Sequence, residues 1–105
     1  MIDRMPPQNI EAEQAVLGAM LISKEAIAEA AQILSPNDFY REAHRIVYET
    51  MLDLSNKNQA VDNLTVIEQL NKSAQLEKVG GIAFVTALAN TVPTAANVIF
   101  YAKIV

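Results

Sequence analysis

Few residues in this chain could do acid–base or metal chemistry. Of its 105 residues one is a histidine, His44, and none is a cysteine. Zinc sites of the His/Cys kind need several nitrogen or thiolate ligands, and a Cys–His nucleophile needs a thiol, so both are excluded. His44 lies four residues from Tyr40 and four from Tyr48, on one side of a helix-period segment. As a functional group it would be a general base. As a packing group it would bond a backbone carbonyl or a Tyr hydroxyl, and that is the preferred reading. Acids are paired at Glu11/Glu13, Asp38/Glu42 and Glu49/Asp53. Helix dipoles or solvated faces account for each pair, and no second histidine completes a metal set. "VGGIAF" carries two glycines but follows no strand and matches neither GxGxxG nor GxxxxGK[ST], so it is not a nucleotide cradle. No catalytic residue, cofactor or metal is therefore expected, which leaves binding.

Charge decides which kind of binding to consider first. Twelve acids against eight bases give a net charge of -4. Nucleic-acid affinity is mostly cation-to-phosphate contact, so this balance weighs against it. The alternative is a helix-turn-helix DNA-binding regulator reading through "VDNLTVIEQLNK". That stretch offers only Glu68 and Lys72 as full charges after its cap, with no Arg to grip guanine. Hydrophobic residues make up 51% and charged ones 19%, which excludes disorder. The length fits one domain with a single core. "MIDRMPPQN" has no apolar signal core, and no run approaches the ~18 apolar residues of a membrane helix. A soluble, cytoplasmic domain is expected.

The elements that must carry these residues are all helical, since no alternation of period two persists and glycine is scarce. Residues 1–8 form an extended lead-in because of Pro6 and Pro7. Asn9 caps a first helix, "IEAEQAVLGAMLIS", whose buried stripe is Ile10, Leu17 and Leu21 with Val16 and Met20. Gly18 inside that helix marks a close helix crossing. Ser23 caps a second helix with Ile27, Ala30, Ala31 and Leu34 inward. "SPND" starts a third, running from about Asp38 to Asn56, with a stripe of Tyr40, Ala43, Val47, Met51 and Leu54. Asp62 or Asn63 caps a fourth, with Val66, Ile67 and Leu70 inward. "LEKVGG" reads as a short turn, with Gly80 free to take positive φ. A fifth helix, "GIAFVTALANT", faces inward with Ile82, Val85, Leu88 and Ala89. The sixth begins near Ala95 after Pro93 and Thr94, and has no C-cap signal before Val105, so it reads as cut short. The expected architecture is a compact orthogonal bundle of about six helices.

Two places fit a protein partner. Phe84 falls about 100° from the centre of its helix's apolar stripe, which makes it either a core edge or a docking anchor. Around it Glu77, Lys78 and Thr91 could form a polar rim, and Ala87 leaves a gap for a partner side chain. The sixth helix is apolar on almost every face, so Val98, Phe100, Tyr101, Ile104 and Val105 are read as a self-association surface.

The stretches "PPQNIEAEQAVLGAML", "DFYREAHRIVYETMLDL", "VDNLTV" and "LEKVGGIAFVTALANTVPTAANVIFYAKIV", in that order, resemble the N-terminal domain of bacterial replicative DNA helicases of the DnaB type. The likeness runs from about Pro6 to Val105. Two departures are visible: "SKEA" stands where the family often has a proline, and Leu64 where it commonly has valine. The resemblance implies that residues 9–105 are the collar domain of a hexameric ring, ending at the start of a linker hairpin. It implies dimers arranged as a trimer of dimers, recruitment of the C-terminal domain of primase, for which the Phe84 surface read above is the candidate, and engagement by a helicase loader. ATP, Mg²⁺ and DNA would belong to a C-terminal RecA-like domain outside this chain, so this part is expected to be no enzyme.

Overall fold

A computed structural model describes residues 9–91 and 96–105. The expected lead-in over residues 1–8 and the expected Pro93–Thr94 cap lie outside those residues, and the last helix begins at Val98 rather than near Ala95. Among the described residues every regular element is helical: α1 (Ile10–Ile22), α2 (Lys24–Ile33), a 3-10 turn (Pro36–Asp38), α3 (Glu42–Asn56), α4 (Asn63–Lys72), α5 (Leu76–Val79), α6 (Gly81–Ala89) and α7 (Val98–Ile104). The first helix is the hub, packed against α2, α3, α6 and α7. Its sequence explains this, since from Ala12 to Leu21 only Gln14 is not buried.

Local signals set most of the boundaries. The Asn9 side chain accepts the Ala12 N–H at 2.9 Å and the Ser23 hydroxyl accepts that of Ala26, so each opens its helix as expected. Asp62, rather than Asn63, caps α4: its carboxylate accepts the Thr65 N–H, and the Thr65 hydroxyl accepts the Asp62 N–H, both at 2.9 Å. Gly80 ends α5 at φ +121°, where a side chain would be strained. The "LEKV" stretch is thus a full helical turn, beyond the simple turn expected.

The helix crossing at Gly18 is close. A Cβ there would land on the carbonyl oxygen of Leu88 in α6. Only a residue without a side chain lets α1 and α6 meet at this separation, which is why a residue costly in a helix interior stands here.

Three inward assignments differ from expectation. The long third helix does not start at Asp38: the chain runs extended through Phe39 and Arg41, and α3 begins at Glu42. Helical phase counted from Tyr40 therefore does not apply. Phe39 is buried, with its ring 4.8 Å from that of Tyr48, while Tyr40 is half-exposed. On α6 the buried side chains are Val85 and Leu88, and Ile82 is 59% exposed. Ala31 of α2 is also exposed. On α7, Val98 and Ala102 close over the core formed with α1 and α2.

Candidate functional site

One buried cluster joins three helices. Glu13 lies in the first turn of α1, where the dipole favours an acid, but its side chain is 1% exposed. Its carboxylate accepts the Tyr40 N–H at 2.7 Å and the Arg41 N–H at 3.5 Å. Those bonds anchor the segment just before α3 to α1. The same carboxylate is 2.7 Å from Nδ1 of His44, which is fully buried. An imidazole facing a carboxylate there must donate its Nδ1–H, which fixes the tautomer and leaves a lone pair on Nε2. Nε2 has no hydrogen-bond partner among the described residues.

His44 thus bonds an acid from another helix, not the backbone carbonyl or Tyr hydroxyl expected. The Tyr48 hydroxyl instead donates to the Leu34 carbonyl at 2.7 Å. Nor is Glu13 explained by the dipole alone. A sequence signal for the burial of Glu13 existed, though none for its partner: Glu13 precedes Leu17 by four residues and Met20 by seven, on the buried stripe, and an acid there requires a donor. Burial is the largest influence on His44 and pushes its pKa below the usual 6.5, against the pull of Glu13. A sealed imidazole of this kind meets no substrate, so it is not placed as a general base.

The outer layer of the cluster is Phe84. Its ring stacks on that of His44, centroids 5.8 Å apart and planes 21° apart. It also lies over the bare backbone of Gly80, where an added Cβ would come within 2.9 Å of the Phe84 Cβ. Phe84 is half-buried and packed against the core, so it combines the core-edge position with partial exposure. Ala87 and Thr91 are exposed further along α6 and just past it, with the Thr91 hydroxyl donating to the Ala87 carbonyl. Glu77 and Lys78 are exposed on α5, which packs beside α6, and Lys78 pairs with Glu42 at 3.5 Å.

A second surface belongs to α7. Val98 is buried within its own domain, whereas Phe100 is 65% and Ile104 is 42% exposed. Tyr101 and Val105 are half-buried. No group of three or more metal-ligating side chains occurs among the described residues, and no helix there is long and apolar enough to cross a membrane.

These features define a small all-α domain whose buried ionisable groups hold helices together. The chain belongs to the family of DnaB-like helicase N-terminal domains, whose family model matches residues 5–105. It is 52% identical over 98% of its length to the replicative DNA helicase DnaC of Bacillus subtilis, and 50% identical, over the same share, to the replicative DNA helicase DnaB of Geobacillus stearothermophilus. It spans 23% of the length of either relative. The crystal structure of the N-terminal domain of DnaB helicase from Mycobacterium tuberculosis superposes with a TM-score of 0.92 at 47% identity, covering 95% of this chain and 69% of that one. None of these comparisons supports the helix-turn-helix alternative.

Proposed function

We propose that this domain is the collar of a hexameric replicative DNA helicase, joining other copies into the ring and recruiting the C-terminal domain of primase, with a helicase loader engaging the same assembly. In this reading ATP, Mg²⁺ and DNA are handled by a C-terminal domain of the parent, and the setting is the cytoplasm. The family membership supports the collar role. The observation that carries the recruiting role is Phe84: a half-buried aromatic held from below by His44 and Gly80, with exposed Ala87 on the same helix, Thr91 just past it, and Glu77 and Lys78 on its neighbour. Rigid aromatic anchors with small and polar neighbours are what interface centres are built from.

The test is Phe84→Ala in this chain, titrated with the primase C-terminal domain and melted in parallel. An anchor predicts a loss of about 1–3 kcal/mol of binding. A residue that serves the core alone predicts a loss of folding stability with normal binding, and that outcome overturns the recruiting role.

A further inference from the structure

We propose that His44, held by Glu13, positions the Phe84 ring for partner docking and releases it when the imidazole takes up a proton. The consequence for binding rests on the reading of Phe84 as a docking residue; the positioning itself does not.

The geometry leaves little choice of coupling. Glu13 engages Nδ1, so the imidazole cannot rotate without giving up a 2.7 Å bond. One face of the imidazole then supports Phe84, which also lies against the side-chain-free backbone of Gly80. The ring of Phe84 is thus presented in one orientation by groups from α1, α3 and the α5–α6 junction. Protonation of His44 has to occur at Nε2, since Nδ1 already carries its hydrogen. That places a new N–H donor at a buried atom with no acceptor among the described residues. A buried unpaired donor is unfavourable, and more so when charged. The attraction of an imidazolium for the Phe84 face is weaker than that penalty. Relieving that donor requires Nε2 to move toward water, and the half-buried Phe84 ring, stacked on the imidazole, lies beside it. The charged groups acting on the imidazole are Glu13 from α1, which favours the proton, and Arg41 from the segment before α3, which opposes it. Burial outweighs both. Phe84 itself brings no charge from α6.

The experiment uses the whole chain with ¹³C-labelled phenylalanine and histidine rings, followed by NMR from about pH 8 to about pH 5. The Phe84 ring resonances are expected to shift with the same midpoint as those of His44, below 6.5. Affinity for the primase C-terminal domain should fall about tenfold over the same interval. His44→Gln keeps an N–H donor for Glu13 but removes both the platform and the proton. In that variant the Phe84 resonances should be displaced and insensitive to pH, and binding weak and flat. Phe84 resonances that stay fixed while His44 titrates overturn the proposal, as does a His44→Gln protein with the native Phe84 resonances. The wild-type titration gives its answer even if the variant does not fold. Coupled resonances together with pH-independent primase binding would uphold the positioning and overturn the docking reading.

Discussion

Gly18 of α1 and Leu88 of α6 meet so closely that the Leu88 carbonyl oxygen occupies the space a Cβ at position 18 would need. The obstacle is backbone, which cannot swing aside as a flexible side chain would. The contact ties the hub helix to the helix carrying Phe84.

Gly18→Leu is therefore expected to lower stability by about 1–3 kcal/mol through overpacking. Urea denaturation followed by circular dichroism measures it. An unchanged midpoint would mean that α1 and α6 do not cross at this distance in solution.

Removing the Glu13 carboxylate should cost more than a typical surface change. Glu13→Ala leaves the buried His44 Nδ1–H and the part-buried Tyr40 and Arg41 N–H groups without their acceptor. A loss of about 1–3 kcal/mol is expected, the range for leaving a buried donor without its acceptor. A cycle with His44→Ala should show a coupling of about 1–3 kcal/mol, and additive losses would show that the two residues do not act together.

Stability should also depend on pH with a definite sign. Burial lowers the His44 pKa from 6.5 in the folded state, so between the folded and unfolded values the unfolded chain binds more protons. Stability then rises with pH in that window: it is fully present above about 6.5 and declines as pH falls through the lower folded value. Thermal melts from about pH 8 to about pH 5 should show this, and His44→Gln should flatten the decline. Stability that rises on acidification would mean that Glu13 outweighs burial.

The exposed face of α7 gives a prediction about assembly. Phe100 is 65% exposed, so Phe100→Asp should change folding stability by no more than about 0.5 kcal/mol. If α7 is a self-association surface, the variant should move sedimentation toward the monomer. Extending the chain through the expected linker hairpin should move it the other way. Identical sedimentation of the native and Phe100→Asp proteins would remove α7 from the interface.

Local signals in the sequence determined the helices, because a cap or a glycine acts on its nearest neighbours. Asn9, Ser23 and Asp62 open helices with side-chain bonds across three residues, and Gly80 ends one through its own φ. The close crossing at Gly18 was legible too, since a glycine in a buried helix needs a packing reason. What the sequence by itself did not determine is the Glu13–His44 pair, separated by 31 residues. Each residue had an adequate local explanation, a dipole for the acid and helix packing for the imidazole. Only the approach of α1 to the start of α3 brought them within a bond length that makes those explanations incomplete. The same long-range bonds anchor the segment after "SPND", where Phe39 and Arg41 are extended and Phe39 enters the core in place of Tyr40. Helical periodicity assumes an unbroken backbone, and here the chain is extended at Phe39 and Arg41, where a carboxylate from a distant helix binds it.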